Sequence, residues 1–407
     1  MTGLAHTAQA WTVHGNAKEL EQMRQTCREQ LLPRPALLCV NRSEAAALLG
    51  VAPLTTRNAV EQAAKTLRTW ACQAVVITGN DDADYADTPQ ASGWLYLPGL
   101  AAQPVADTGG DAVFAANAAT ALARGFVAME AIILAKMATA DALRHRNAAG
   151  VLQPRADFAL HISNLPHFSL PQPTSVKGFS ALSDANLGLY AVVDSAQWVE
   201  RVVAAGVSTV QLRIKNAEQT GRREFIRQQV RQAIAAARAA GAQLFINDHW
   251  QLAIEEGAYG VHLGQEDLHI ADLAAIRQAG LRLGISTHAY WEVCRAWALQ
   301  PSYIACGPIH PTQAKAMPWI AQGNDNLAYW RLLLPLPVVG IGGMDALRTE
   351  QAAQCGVAGV AVISAITAAA SPEAAIAQLQ EALKRGRSRP KAAAAPFLPK
   401  STLSSLA

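Results

Sequence analysis

Polar side chains that could hold an anion and a metal ion recur at the ends of predicted strands in the second half of the chain. In "TVQLRIKN", residues 209–216, Gln211, Arg213 and Lys215 alternate with apolar residues, so the three share one face of a strand. The strands that follow end in further polar residues: Asn247, Asp248, His262, Gln265, Asp267, Ser286, His288, His310, Thr312 and Lys315. An amide and two cations on one face of a helix-covered strand indicate a binding site.

Two carboxylates in this set, Asp248 and Asp267, end neighbouring strands. Mg²⁺ in proteins is commonly held by one or two carboxylates together with substrate phosphates and water. With Arg213, Lys215 and Lys315 expected at the same opening, the set fits a polyphosphate bridged by Mg²⁺. Ion pairing that only holds the fold together is the alternative; it is disfavoured for the whole set because buried charges without a ligand are costly. The histidines lack HxH or HxxxH spacing, so zinc is not expected.

A second anion site is indicated by small residues near two later strands. Gly342 and Gly343 follow the seventh strand of the series, and Ser364 follows the eighth. Many barrel enzymes build a phosphate site from these two loops, using backbone N–H groups and a helix N-terminus. The glycine run taken alone is equally typical of a tight packing turn.

The elements that must position these residues form a repeated strand–helix pattern. The eight strand-like runs are "LGLYAVV", "STVQLRI", "QLFIND", "GVHLG", "LRLGIS", "SYIACGPI", "PVVGIGG" and "GVAVISAI". Eight such units in about 200 residues predict a (β/α)₈ TIM barrel, whose active site forms at the carboxyl ends of the strands. An open doubly wound sheet is the alternative; it is disfavoured because no GxGxxG follows the first strand.

Length and composition predict two α/β domains. The chain has 407 residues, too many for one ordinary core. We expect a first α/β domain over residues 1–147, a linker over 148–185, the barrel over 186–387 and a disordered tail over 388–407. The proposed linker is rich in Pro, Ser, His and Asn, and the tail in Pro, Ala and Ser, as is typical of such segments.

Charge and cysteine usage exclude several function classes. The net charge is only +3 and basic residues form no stripe, so nucleic acid is not an expected partner. The six cysteines are scattered, which fits thiols in a reducing cytosol. The first residues lack the pattern of a signal peptide, and no apolar run is long enough to cross a membrane. We therefore expect a cytoplasmic protein with small-molecule substrates, and leave homo-oligomerisation open.

The predicted barrel closely resembles thiamine-phosphate synthase over residues 187–370. The matching stretches include "GVSTVQLRIK", "LFINDHWQLAIEEGAYGVHLGQEDL" and "PSYIACGPIHPTQAK". The resemblance implies that hydroxymethylpyrimidine diphosphate and thiazole phosphate are joined into thiamine phosphate with Mg²⁺ as cofactor. It implies that Arg213, Lys215, Asn247, Ser286 and Lys315 hold the diphosphate, Asp248 and Asp267 the metal, and Gln211 the pyrimidine. It also implies that Thr312, Gly343, Ile363 and Ser364 surround the thiazole phosphate.

One position departs from this family. Before Lys315 the family usually carries a hydroxyl residue, and this chain has Ala314. A lost hydrogen bond to phosphate would cost about 1 kcal/mol or somewhat more. We expect slightly weaker binding, with activity retained.

The first domain resembles the C-terminal half of hydroxymethylpyrimidine (phosphate) kinases of the ribokinase-like fold. The resemblance rests on "LLPRPALLCVNRSEAAALLG", "AVVITGN" and "DTGGDAVFAANAATALARG". It implies a vestigial nucleotide or phosphate site at Gly109, Gly110 and Asp111. Because only about 110 residues match, we expect a partial domain that is catalytically silent. A bifunctional kinase–synthase and a non-catalytic thiamine-phosphate-binding regulator are the alternatives.

Overall fold

A computed structural model describes two compact units. The described residues are 5–7, 17–31, 37–70, 72–79, 83–97, 109–146, 151–168, 178–215, 222–312, 318–389 and 399–404. One unit comprises Met1–Gln172 with Leu403–Ala407, and the other comprises Pro173–Thr402. No helix among the described residues is long and apolar enough to cross a membrane.

The first unit is built on a mixed six-stranded sheet. Its elements are β1 Ala5–Thr7, α1 Ala17–Thr26, a π-helical turn Cys27–Leu31, β2 Leu37–Asn41, α2 Arg42–Leu49, α3 Arg57–Arg68, β3 Val75–Thr78, β4 Ala83–Asp87, β5 Ser92–Tyr96, α4 Gly110–Ala123, α5 Ala128–Arg144, two 3₁₀ turns Phe158–Leu160 and Ile162–Asn164, and β6 His167–Phe168. The strands follow chain order in the sheet. The first three are parallel and the others antiparallel.

Local sequence signals account for several boundaries in this unit. Asn41 caps α2 by accepting the Glu44 N–H, and the Glu44 carboxylate accepts the Asn41 N–H in return; this capping box satisfies two N–H groups that a helix start leaves unpaired. Thr56 caps α3 in the same way by accepting the Ala59 N–H. The two helices begin at these caps. α2 packs against β2, and α3 packs against β3.

The linker prediction is wrong over its first part. Residues 151–168 belong to the first unit, and Phe168 pairs with Leu95 of β5 to extend the sheet. The physical reason is the buried Asp141 carboxylate of α5, which accepts hydrogen bonds from the Arg155 backbone and guanidinium and from the Asn164 amide. A segment without a sustained hydrophobic period is thus held by polar bonds to a buried charge.

We predict that Asp141→Asn destabilises the first unit in a pH-dependent way. Burial raises the pKa of Asp141, but hydrogen bonds from Arg155 and Asn164 outweigh burial and lower it to about 2. A depressed pKa stabilises the folded state above the unfolded value near 4, and the contribution is lost as pH falls toward 2. The variant should therefore lose about 2 kcal/mol at pH 7.

The measurement is calorimetric melting of the full-length chain between pH 7 and pH 2.5. The difference in melting temperature between wild type and Asp141→Asn should shrink as pH falls below about 4. Asp157→Asn is the matched control, because Asp157 is exposed and its carboxylate pairs with His161 at the surface. A difference that stayed constant with pH would contradict the prediction.

The second unit is a closed barrel of eight parallel strands, which confirms the predicted fold and excludes the open sheet. Its elements are β7 Gly188–Val193, α6 Ala196–Ala204, β8 Thr209–Leu212, α7 Arg222–Ala239, β9 Gln243–Asn247, α8 Trp250–Glu255, β10 Gly260–Leu263, a 3₁₀ turn Asp267–His269, α9 Leu273–Gln278, β11 Arg282–Thr287, α10 Tyr290–Leu299, β12 Tyr303–Cys306, α11 Gly323–Leu333, β13 Val338–Ile341, α12 Ala346–Gln354, β14 Gly359–Val362, α13 Ser364–Thr367 and α14 Pro372–Ser388. β14 pairs with β7 and closes the ring.

The barrel interior is packed with aromatic rings below the carboxyl ends of the strands. Tyr190, Phe245 and Tyr303 are fully buried, and Tyr303 contacts the other two rings edge to face. Gly284 of β11 makes room for this packing, because a Cβ at that position would overlap the Tyr303 ring. The filled interior leaves the opening at the carboxyl ends as the place for a ligand.

The disordered-tail prediction is wrong for residues 399–402. Lys400 and Asn326 of α11 exchange backbone-to-amide hydrogen bonds of 2.8 and 3.0 Å. Thr402 is completely buried, and its carbonyl accepts the Ile320 N–H at 3.0 Å. Composition indicated disorder because the tail carries few large apolar residues. Its backbone groups nevertheless find partners on the barrel.

Candidate active site

A cavity of about 220 Å³ lies at the carboxyl ends of the barrel strands. Ten of the residues singled out from the sequence line it: Gln211, Arg213, Asn247, Asp248, Asp267, Ser286, Thr312, Gly343, Ile363 and Ser364. They come from seven of the eight strand ends, so residues far apart in the chain meet at one opening. Such convergence is the usual origin of a barrel active site.

Three other positions from the sequence analysis stand apart from this group. Lys215 is exposed and is not among the described residues that line the cavity. Lys315 and Ala314 lie outside the described residues. The alternation of "QLRIK" put Lys215 on the same face as Gln211, but β8 ends at Leu212, so strand geometry does not govern the direction of Lys215.

The two carboxylates predicted to bind metal lie close enough to perturb each other. Partial burial in the cavity mouth, and next the negative charge of Asp267, raise the pKa of Asp248 to about 6. Arg213 and Asn247 act in the opposite direction. Asp267 is in turn held by the Gly264 N–H, which donates to its carboxylate at 3.2 Å. Two carboxylates that disfavour each other's charge are suited to share a cation.

Asp248 also has a strained backbone. Its φ is 61°, in the left-handed region that few residues other than Gly, Asn and Asp adopt. The turn follows directly from the end of β9, where Asp248 donates its N–H to the His262 carbonyl. Strained conformations of this kind cluster at functional sites because surrounding structure must maintain them.

Arg213 places a positive charge beside this carboxylate pair. Its backbone N–H donates to Val193 of the neighbouring strand at 2.7 Å, which fixes its position just beyond β8. Burial lowers the pKa of the guanidinium, while the charge of Asp248 raises it. Guanidinium remains protonated throughout the physiological range, so the cavity holds a half-buried cation next to acidic groups.

A continuous set of side-chain hydrogen bonds crosses the barrel beneath the cavity. The Gln211 amide donates to the Tyr190 hydroxyl at 3.3 Å, and the Tyr190 and Tyr303 hydroxyls lie 2.7 Å apart. Tyr303 lies 2.7 Å from Nδ1 of His262, whose Nε2 lies 2.8 Å from the Ser286 hydroxyl. Five strands are thereby linked, and three cavity-lining side chains, Gln211, His262 and Ser286, belong to one network.

His262 is a neutral member of this network. Burial, and to a smaller extent the charges of Arg213 and His288, lower its pKa to about 3. Gln265, one of the polar residues that follow the predicted strands, donates to the Ser286 carbonyl and accepts from Arg295. Its amide oxygen is therefore already used, and it supports Ser286.

The glycine pair after β13 adopts the conformation of a tight loop. Gly342 and Gly343 both have positive φ, 106° and 63°. A Cβ on Gly343 would meet the Pro311 carbonyl at 2.5 Å, so no larger residue fits there. Arg348 of α12 donates to the Gly343 carbonyl at 2.7 Å. The loop is thus rigid and brings backbone close to the cavity.

An aromatic wall closes another side of the cavity. His288 stacks on Trp319 with ring centroids 4.5 Å apart, and both line the cavity. The buried Glu292 carboxylate accepts the His288 backbone N–H at 2.6 Å and lies 2.9 Å from Nδ1. The wall is therefore anchored to α10.

Sequence reasoning missed four side chains that shape this site: Tyr303, Trp319, Arg295 and Arg348. A tryptophan taken alone is more typical of packing, and the two arginines lie on helices outside the strand-end pattern. Tyr303 at the start of "SYIACGPI" alternates with Ala305, so its inward face could have been identified from that pattern.

The cavity carboxylates Asp248 and Asp267 are the residues that could hold a magnesium ion. The described residues contain no cluster of three or more His, Cys, Asp or Glu side chains placed to hold a metal. A pair of mutually repelling carboxylates, one with a raised pKa, nevertheless fits the few protein ligands that Mg²⁺ takes when phosphate oxygens complete its shell. The donor set therefore fits Mg²⁺ bound together with a diphosphate.

The candidate vestigial site of the first unit lies at the start of α4. Gly109 has a φ of 71°, and Gly110 begins the helix. The exposed Asp111 carboxylate accepts from Thr78 at 3.1 Å and from the Asn41 amide at 3.3 Å. These bonds connect the turn to the carboxyl ends of β2 and β3.

Comparison with known proteins finds relatives for both parts of the chain. Residues 189–366 match the family model described as thiamine monophosphate synthase, and residues 12–154 match that described as phosphomethylpyrimidine kinase. The thiamine-phosphate synthase of Yersinia pestis (strain Pestoides F) is 54% identical over 202 residues, which cover 48% of this chain and 90% of that protein.

Two solved structures are similar to separate parts of the chain. Thiamine phosphate pyrophosphorylase from Pyrococcus furiosus is 27% identical, with a TM-score of 0.45, and covers 50% of this chain and 98% of its own. Pyridoxal kinase of Bacillus subtilis, solved as an ADP complex, is 29% identical, with a TM-score of 0.28, and covers 30% of this chain and 48% of its own.

Proposed function

Since this chain belongs to the thiamine-phosphate synthase family, we propose that its barrel joins hydroxymethylpyrimidine diphosphate to thiazole phosphate and releases thiamine phosphate and diphosphate. Both resemblances drawn from the sequence are confirmed by the family matches. The observation that carries the proposal is the meeting of Arg213, Asp248, Asp267 and Ser286 at one opening of the barrel. A cation, a carboxylate pair and a hydroxyl are the groups that a metal-bound diphosphate requires.

We assign the diphosphate to the side of the cavity lined by Arg213, Asn247 and Ser286. In this assignment the guanidinium and the two polar side chains donate hydrogen bonds to phosphate oxygens. Lys215 and Lys315 complete the set by resemblance to the family. Charge-assisted bonds of this kind strengthen as negative charge develops on a leaving group, so they would favour diphosphate departure more than diphosphate binding.

The chemical step breaks the bond between the pyrimidine methylene carbon and the diphosphate oxygen. The electron pair of that bond leaves with the diphosphate, and the thiazole nitrogen then donates its lone pair to the methylene carbon. No proton has to be removed by the protein, which agrees with a neutral, buried His262 near the site. Gln211, buried beside the network, would orient the pyrimidine ring by hydrogen bonding.

The thiazole phosphate is assigned to the opposite side of the cavity. Gly343, Ile363 and Ser364 line it, together with Thr312. The rigid glycine loop brings backbone groups to that side, as in phosphate sites of other barrels. This arrangement would hold the thiazole nitrogen facing the pyrimidine methylene group, which is the orientation that the reaction needs.

Asp248 and Asp267 are the residues that would hold Mg²⁺. When bound, the ion supplies neutralising charge for the diphosphate oxygens. We predict that chelator-treated protein makes product at less than about 1% of the untreated rate, and that added Mg²⁺ restores the rate. The measurement is thiamine phosphate formation from the two purified substrates. Full activity after exhaustive chelation would contradict the metal assignment.

The same assay tests the function as a whole. Purified full-length protein, both phosphorylated substrates and Mg²⁺ should yield thiamine phosphate and diphosphate in equal amounts. If the substrates or the product bound without turnover, the chain would be the non-catalytic regulator that shares this cavity. The intact carboxylate pair and Arg213 favour the enzyme, because a binding protein has no need to promote departure of diphosphate.

A bifunctional kinase–synthase is the second candidate, favoured by the phosphomethylpyrimidine kinase match over residues 12–154. We propose that the first unit is catalytically silent, since the Asp111 carboxylate already accepts from Thr78 and Asn41. The test is ATP-dependent phosphorylation of hydroxymethylpyrimidine by the full-length chain. Clear turnover that is lost in Asp111→Ala would establish the bifunctional enzyme instead.

We also propose that the protein works in a reducing, cytosolic environment. The thiols of Cys39 and Cys306 are buried, and burial raises the pKa of each to about 12. Such thiols are unreactive packing groups, which fits a compartment without disulfide formation.

A further inference from the structure

The C-terminal residues 400–402 are bonded to the barrel at the connection between β12 and α11. The Asn326 amide donates to the Lys400 carbonyl, and the Lys400 N–H donates to the Asn326 amide oxygen. The Tyr290 hydroxyl also donates to the Lys400 carbonyl, at 3.4 Å. Thr402 is completely buried and accepts the Ile320 N–H.

These bonds are more than surface contacts, because Asn326 is itself completely buried. A buried amide that loses its partners retains the full desolvation penalty of its donor and its acceptor. The amide has therefore both of its polar ends engaged by one residue of the tail. The barrel thus has a buried amide whose two described hydrogen-bond partners lie in the segment.

The segment is hydrogen-bonded to the residue that directly follows the aromatic wall in the chain. Ile320, which the tail holds by its N–H, directly follows Trp319. The Trp319 ring is stacked on the His288 ring. The His288 backbone N–H donates to the Glu292 carboxylate. Trp319 thus contacts α10 through His288, and its neighbour in the chain, Ile320, is held by the tail.

Trp319 also carries an indole donor for which the described part of the chain supplies no acceptor. Its indole Nε1 is buried and has no hydrogen-bond partner among the described residues. Buried indole N–H groups usually have partners. A donor of this kind, on a ring that lines the cavity, is available to an acceptor on a bound substrate.

We propose that residues 400–402 are a positioning strap that holds Trp319 in the cavity wall, and that Trp319 stacks on a heteroaromatic substrate ring. The proposal rests on the proposed synthase function, whose two substrates each carry such a ring. Trp319 is a binding residue here, and Asn326 and Thr402 are positioning residues that act through it. The strap therefore controls substrate affinity while leaving the chemistry at Arg213 and Asp248 unchanged.

The first experiment removes the strap's anchor. Asn326→Ala and a chain truncated after Arg389 should each raise KM for at least one substrate about fivefold or more, with kcat changed less than about twofold. Trp319→Ala should give the same pattern, and combining it with Asn326→Ala should add little. Gln380→Ala is the matched control, because that amide donates to the Gly206 carbonyl on the exposed face of α14.

The second experiment does not depend on turnover. Acrylamide quenching attributable to Trp319, taken as the difference from Trp319→Phe, should increase when the strap is cut or Asn326 is replaced. Unchanged quenching and KM in an active protein would overturn the strap. An inactive wild-type chain would instead refute the proposed function, and quenching would still decide the strap. A global loss of the melting transition in both strap variants would assign the segment to barrel stability and overturn the positioning role.

Discussion

Replacing Asp248 with Asn should lower the rate of thiamine phosphate formation by about 100-fold or more while leaving the barrel folded. The substitution removes one of the two charges that would hold the metal beside the diphosphate. Asn tolerates the left-handed backbone at this position, where φ is 61°. Lost activity would therefore report the missing charge, with backbone strain unchanged.

The same variant should change how stability depends on pH. The pKa of Asp248 is raised to about 6, so between about pH 4 and 6 the folded protein binds more protons than the unfolded chain, and wild-type stability falls as pH rises. Asp248→Asn lacks this pH-dependent contribution to the free energy of unfolding. Without metal, its melting temperature should equal or exceed that of the wild type above pH 6, by a small amount because solvent reaches the carboxylate.

A matched substitution separates the site from general effects of charge. Asp272→Asn changes an N-cap of α9, where Asp272 accepts the Ala275 N–H, and Asn caps helices about as well as Asp. It should retain activity within about twofold. Equal losses of activity in both variants, or full activity in Asp248→Asn, would remove Asp248 from the site.

Replacing Arg213 with Ala should also lower kcat/KM by about 100-fold or more, because a half-buried guanidinium would stabilise the departing diphosphate. Arg213→Lys keeps the charge but lacks the planar fork, so it should recover only part of the rate. The measurements are steady-state kinetics with both substrates and melting of each variant. Their comparison distinguishes loss of transition-state binding from loss of the fold.

The fold should survive the Arg213→Ala substitution. The backbone bond from Arg213 to Val193 remains, and the half-buried side chain lines the cavity. Arg201→Ala is the control, since Arg201 forms an exposed pair with Glu373 and such pairs contribute little. Unfolding of Arg213→Ala with retained folding of the control would mean that the cation is structural.

The barrel was predictable because its strands carry a simple signal. In "TVQLRIKN" the alternation identifies one inward face, and eight such runs separated by helices leave few topologies. The closed order of strands agrees with that prediction. The position of Lys215 was not predictable, because alternation does not say at which residue the strand ends.

Contacts between distant residues were harder to predict than elements. Nothing local pairs Asp141 with Arg155, or Asn326 with Lys400, since each pair joins segments with different compositions. Composition therefore predicts a linker and a disordered tail for these polar segments. The hydrophobic period of a sequence indicates which apolar side chains are buried. It does not indicate which polar groups will form hydrogen bonds with each other.

The hydrogen-bond network beneath the cavity has a direction. The Gln211 amide nitrogen can only donate, so Tyr190 accepts from it, and the Tyr190 proton is paired within the network when it points toward Tyr303. Tyr303 then donates to Nδ1 of the neutral His262, which places the imidazole proton on Nε2, facing Ser286. Ser286 is left with its own hydroxyl proton to donate outward. A change of rotamer at Gln211, on the far side of the barrel, would reverse every proton in the chain and convert Ser286 from a donor to an acceptor toward an anion.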